Sequence, residues 1–128
     1  MTTSLKLSKD LAAIGFSPLD DETIFFYDKN GNLSYDQVGI YLTRQQQDEA
    51  ILSYDLETML KALPKYIRPK RNASFSLQFD IVEGFIYYTM QPLFMVKKSK
   101  NESLADTAAR LLIKLVEKGI INFNKSLS

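Results

Sequence analysis

The side chains that could act on a substrate are carboxylates, lysines, tyrosines and hydroxyls, because the chain has no His, no Cys and no Trp. Thiol nucleophiles, a serine–histidine triad and zinc sites built on His or Cys are thereby excluded. Two carboxylate groupings are left. Asp20, Asp21 and Glu22 stand in a row, and such a row could bind a divalent cation or divide acid and base duty in a hydrolase. Adjacent side chains in a turn or strand diverge, however, so the row reads better as a solvated turn ahead of a strand. The segment DKNGNLSYDQVG sets Asp28, Asn30 and Asn32 at the first three ligand positions of a calcium loop. Its sixth position is Leu33 where glycine is required, and its twelfth is Gly39 where a bidentate glutamate is required. Asn30-Gly31 accounts for these residues as a hairpin turn, and no metal or cofactor is expected.

The basic residues form two local groups, Lys65, Arg68, Lys70 and Arg71 beside Tyr66, and Lys97, Lys98 and Lys100. Cations beside a stackable tyrosine are what contact with single-stranded nucleic acid or an acidic partner requires. No recognition helix, Gly-rich phosphate loop or aromatic RNA-binding motif accompanies them. Charge is also segregated along the chain. Residues 1 to 60 carry 4 basic and 10 acidic side chains, net −6, and residues 61 to 128 carry 12 and 5, net +7.

The elements that must position these groups belong to one domain, 1–128, with frayed ends: 128 residues at 45% apolar and 24% charged can bury a core without disulfide or metal. No apolar run approaches the roughly 20 residues needed to cross a bilayer, and the start, MTTSLKLSKDLAAIG, lacks the apolar run of a signal peptide. The cytoplasm, with no membrane partner, is the expectation.

Ser8 is expected to cap a short helix through Ile14, with Gly15 after it and Phe16 folding back onto Leu11. Thr23 to Asp28 and the residues after Asn30-Gly31 read as a hairpin, with Phe26 opposite Tyr35 and Tyr27 opposite Ser34. Gly39 to Leu52 is ambiguous between strand and helix. Asp55 caps a helix, Leu56 to Leu63, that Pro64 ends, and KYIRPKRNA reads as a basic loop. Ser74 to Val82 alternates as a half-buried strand. A tight Glu83-Gly84 turn would set Ile81 against Ile86, Phe79 against Tyr88 and Leu77 against Met90, leaving Asp80 near Tyr87. LFMVKK after Pro92 adds an edge strand. The last helix is capped by Ser103 and closed by Gly119, with Ile120 reaching back to Leu115. Its apolar arc is wider than one stripe, which makes Ala105, Ala109, Ile113 and Val116 a candidate protein interface and a homodimer the expected way to cover it.

Three segments, DLETMLKALPKYI, FSLQFDIVEGFIYYTM and ESLADTAARLLIKLVEKGII, resemble a group of small proteins from bacteriophages and mobile elements of gut Bacteroides-type bacteria. The resemblance spans roughly residues 54 to 121. It implies an accessory protein with no catalytic residues to carry over.

The sequence therefore predicts an α+β domain in which an antiparallel sheet from two hairpins packs on an amphipathic C-terminal helix, with a short second helix alongside. The expected function is a non-enzymatic interaction module with a protein partner, self or other. A nucleic-acid-associated protein using the basic segments 65–71 and 97–100 is the alternative, and a carboxylate-dependent hydrolase the third.

Overall fold

The computed structural model describes residues 2–16, 23–28, 30–37, 50–70, 73–80, 82–89 and 91–123. Asp20, Asp21, Glu22, most of the ambiguous stretch after Gly39, Arg71, Ile81 and Met90 lie outside the described residues. The fold class is the α+β expected, with three helices and two antiparallel sheets among the described residues. The two predicted hairpins do not share a sheet. The first joins β1 (Thr23–Tyr27) to β2 (Leu33–Gln37), and β3 (Ile51–Ser53) completes a sheet of order β2-β1-β3. The second sheet has the order β4-β5-β6-β7, from β4 (Tyr66–Lys70), β5 (Ala73–Asp80), β6 (Phe85–Tyr88) and β7 (Gln91–Lys97).

Helix α1 (Leu5–Ala13) starts one turn earlier than its sequence suggests, because Ser4 is the cap and its Oγ accepts the Leu7 N–H at 3.3 Å. Ser8 is instead buried inside the helix, where its hydroxyl meets Thr3 Oγ1 at 2.7 Å. Thr3 is the centre of a polar knot: its carbonyl accepts Ser53 Oγ–H at 2.8 Å and Tyr27 O–H at 2.9 Å, and its Oγ1 accepts the Tyr54 N–H at 3.1 Å. Buried hydroxyls are tolerated when each finds a partner, and this knot ties α1 to the three-stranded sheet. The helix ends as expected, with Gly15 at φ +85 and the Phe16 N–H on the Leu11 carbonyl.

Both hairpins differ in register from their sequence reading, each for a reason in the turn. In the first, Asp28 Oδ1 accepts the N–H groups of Asn30 and Asn32, and the Asp28 carbonyl accepts the Gly31 N–H. That closes a longer loop than a two-residue turn and pairs Phe25 with Tyr35 and Phe26 with Ser34. In the second, Asp80 takes the Glu83 N–H on its side chain and the Gly84 N–H on its carbonyl. Gly84 has φ +75, and a Cβ there would lie 3.0 Å from Lys98 Cβ, so the turn closes on Asp80–Phe85. Phe79 then pairs with Ile86 and Leu77 with Tyr88, a two-residue slip that preserves the faces and moves the partners.

Helix α2 (Leu56–Ala62) has Asp55 as its cap, with Oδ1 accepting the Thr58 N–H at 2.8 Å. KYIRPKRNA is not a loop: Tyr66 to Lys70 is an edge strand on β5 with a register shift between Ile67 and Lys70. The alternation of exposed Tyr66, buried Ile67 and exposed Arg68 is that of a strand buried on one face. Pro69 is compatible with an edge.

Helix α3 (Leu104–Glu117) follows the sequence reading closely, with Ser103 Oγ accepting the Asp106 N–H and the Ile120 N–H on the Leu115 carbonyl. Ala105, Ala108, Ala109, Leu111, Leu112 and Leu115 are all buried. Helices α1 and α2 and strands β6 and β7 surround it. The width of the apolar arc is thus covered within the chain: Ala105 and Ala109 are inside and unavailable to a second copy, and Ile113 and Val116 are half-buried. No helix among the described residues is long and apolar enough to cross a membrane.

The uneven burial of the opposed pair Phe79 and Ile86 yields a test. Ile86 is 3% exposed and Phe79 48% exposed, so Ile86→Ala should cost about 2–5 kcal/mol and Phe79→Ala less than about 2 kcal/mol by chemical denaturation. Equal losses would place Phe79 in the closed core and contradict its position at the open margin of the face it shares with Ile86.

Candidate functional site

Helix α3 packs on one side of the four-stranded sheet, against β6 and β7, and carries α1 and α2 on its flanks. Ile67, Ile86, Tyr88, Phe94 and Val96 point inward and are buried. The opposite parity gives an outer face: Tyr66 and Arg68 on β4, Ser74, Ser76, Gln78 and Asp80 on β5, Phe85 and Tyr87 on β6, Met95 and Lys97 on β7. Tyr66 is 63% exposed and Met95 40% exposed, while Phe85 and Tyr87 are half-buried.

The pairings arrange this face in rows. Asp80, Phe85 and Lys97 form one, Gln78, Tyr87 and Met95 the next, and Tyr66 and Ser76 the third, with Arg68 beyond. Lys97 Nζ sits 5.3 Å from the centre of the Phe85 ring, within cation–π range. The middle is polar: Ser76 Oγ meets Thr89 Oγ1 at 2.8 Å, and Gln78 Nε2 donates to Ser76 Oγ at 3.1 Å. Asp80 is the carboxylate of this face among the described residues, and its Oδ1 is engaged by the Glu83 N–H.

The two basic groups singled out in the sequence occupy opposite edges of the sheet, so they do not form one compact patch. Tyr66, Arg68 and Lys97 nevertheless share the outer face. Lys65 is exposed at the start of β4, Lys70 closes that strand, and Lys100 is exposed in the turn ahead of α3. Lys98 is half-buried, donating from Nζ to the Ser99 carbonyl and from its backbone to Gly84. Phe85, Tyr87 and Met95 were not singled out by sequence. The signal for them is the doubled alternation of FIYY and FMV, in which both parities are apolar and one must face away from the core.

A separate groove of about 770 Å³ runs between α2 and β5, lined by Leu56, Leu60, Leu63, Leu77 and Phe79, with Lys65 and Tyr66 at its rim. It opens where β4 ends its pairing, the Leu77 N–H on the Lys65 carbonyl being the last bond in that lane. Its walls are aliphatic and aromatic, and it adjoins the edge of the outer face at Tyr66 and Gln78.

The end of β7 that carries Lys97 is held by a charged clamp. Arg110 Nη2 donates to the Lys97 carbonyl at 2.6 Å, and the same guanidinium bonds Glu102 through Nε at 2.7 Å and Nη2 at 2.6 Å. Burial pushes the Glu102 carboxyl up. Hydrogen bonds from Arg110, the Ser99 N–H and the Thr107 hydroxyl, with the Arg110 charge, outweigh it and hold the group below its ordinary range. Burial raises the Tyr54 and Tyr88 hydroxyls, which donate to the carbonyls of Phe16 and Pro64, so neither is poised for proton transfer near neutral pH. The other engaged carboxylates also serve structure: Asp55 caps α2, Asp106 accepts the Ser4 N–H at 2.7 Å, and Glu57 pairs with Lys61. No group of three or more acidic ligands suited to a metal occurs among the described residues.

No protein family, curated protein or solved structure matches the chain.

Because the folded-state pKa of Glu102 is depressed, its contribution is full above the ordinary carboxylate value of about 4.3 and is lost as pH falls through the lower folded value. Glu102→Gln should therefore lower stability at neutral pH by about 1–2 kcal/mol, reduced by the partial exposure of Arg110. It should also flatten the acid limb of stability plotted against pH. An unchanged acid limb would show that the clamp contributes nothing to folding.

Proposed function

We propose that the protein is a non-enzymatic interaction module whose contact surface is the outer face of the four-stranded sheet. The observation that carries this reading is the one-sided packing: exposed Tyr66 and Met95 and half-buried Phe85 and Tyr87 share the face opposite the one on which α3 packs, with α1 and α2 carried on that helix. Aromatic and apolar side chains grouped on one face of a folded chain mark a contact site more often than chance placement does. Asp28, Asp55, Asp80, Glu102 and Asp106 are each employed in structure, and the Asp20, Asp21 and Glu22 run on which a carboxylate-dependent hydrolase would rest lies outside the described residues. The resemblance to accessory proteins of phages and mobile elements fits a part added to other machinery.

A photo-reactive phenylalanine analogue at Met95, compared with one at exposed Glu117 at the far end of α3, tests the assignment in cells that express the chain. Met95 should give a discrete adduct that Tyr87→Asp removes, and Glu117 should give none. Equal adducts from both positions, or none from Met95, would refute the outer face as the contact surface.

A further inference from the structure

We infer that the partner of this outer face is a single-stranded nucleic acid, an inference that rests on reading the face as the contact surface. The first support is charge. The four-stranded sheet and α3 are built wholly from residues 61 to 128, net +7, whereas α1 and β1 to β3 come from the net −6 part of the chain. Folding therefore concentrates positive charge on the half of the molecule that carries the open face. On the face itself Arg68 and Lys97 stand at opposite corners, and the nearest carboxylates are Asp80, tied into its turn, and exposed Glu83 at the tip.

The second support is the arrangement between those corners. Arg68, Tyr66, Tyr87 and Phe85 with Lys97 follow a diagonal across four strands, roughly 25 Å long from strand spacing and rise. A cation at each end and aromatic rings between are the components of a single-strand platform, of which the smallest accommodate about four nucleotides. The polar strip of Ser76, Gln78 and Thr89 sets hydroxyls and a carboxamide between the rings, where the edges of stacked bases would lie. A protein partner would call for an apolar centre and a polar rim, and this face has its polar groups in the centre. A duplex is disfavoured because its bases are already stacked on each other.

The test uses the full chain and fluorescein-labelled 12-mers of dT and rU, with a 12-base-pair DNA duplex for comparison, followed by anisotropy. Both single strands should bind at 50 mM salt, and with two phosphates neutralised the affinity should fall about sevenfold at 200 mM. Tyr66→Ala and Tyr87→Ala should each weaken binding at least about fivefold, and Tyr66→Phe should retain it, because the stacking ring remains. Circular dichroism and thermal melting check that each variant folds. Arg68→Glu, on an exposed strand position, reverses a charge without touching the aromatic packing and should reduce both the affinity and its salt dependence. Absence of single-strand binding at 50 mM overturns the inference, as does equal binding of the duplex or indifference to both tyrosine substitutions. If oligonucleotides fail while Met95 still crosslinks to a protein or a second copy, the contact surface stands and the nucleic-acid assignment falls.

Discussion

Helix α3 is the constraint from which the rest of the structure follows. Its residues Ala105, Ala108, Ala109, Leu111, Leu112 and Leu115 are closed to solvent, and each fully buried leucine contributes about 1.5–3 kcal/mol. An arc that wide cannot be covered by a sheet alone. The alanines let helices approach closely on one flank while the leucines fill the layer beneath the strands, so α1 and α2 share the helix with β6 and β7. Once α3 has taken α1 and α2 on its flanks and β6 and β7 beneath it, no described helix remains for the other side of the four-stranded sheet. The exposed aromatic face is thus a consequence of where the helices are consumed.

The three-stranded sheet is attached by different means. Thr3 binds Ser8, Ser53, Tyr27 and Tyr54 through a buried polar knot, and the next residue, Ser4, donates to Asp106 in the first turn of α3. Phe16 meets Tyr54 and Phe123 edge-on at ring-centre distances of 4.9 and 5.2 Å, which adds apolar contact where the knot supplies direction. Hydrogen bonds of this kind specify geometry more than they stabilise, since each replaces one made to water. The acidic half of the chain is held against the basic half here by hydroxyls, aromatic rings and the Asp106 carboxylate on a backbone N–H.

Much of this was legible in the sequence. Asp55, Ser103, Gly15 and Gly119 mark helix ends through local chemistry, and the structure uses each as its spacing implies. Ser8 misled because two serines one turn apart offer the same cap, and only the burial of Ser8 beside Thr3 decides between them. Both hairpin registers slipped because Asp28 and Asp80 wrap their turns with side-chain bonds, a choice that alternation cannot reveal. KYIRPKRNA hid a strand, since its proline and charges are as suited to an edge as to a loop. The site was half legible: Tyr66, Arg68 and Lys97 were singled out for their chemistry. Phe85, Tyr87 and Met95 could be assigned only once the helices were known to take the other parity.

The same packing explains how the face is kept in order although no described helix packs on it. An edge strand such as β7 is anchored by pairing on one side only, and its end would fray without a second attachment. Arg110 supplies that attachment from α3, bonding the Lys97 carbonyl while Glu102 fixes the guanidinium in two bonds. The helix that empties the outer face of partners therefore also pins the strand end on which Lys97 stands over Phe85. At the other edge, Tyr88 donates to the Pro64 carbonyl at 2.6 Å and fixes the point where the chain leaves α2 to begin β4. Tyr66 follows two residues later. Each corner of the face is thus placed by a side chain that reaches through from the buried layer, and its geometry is set by the core.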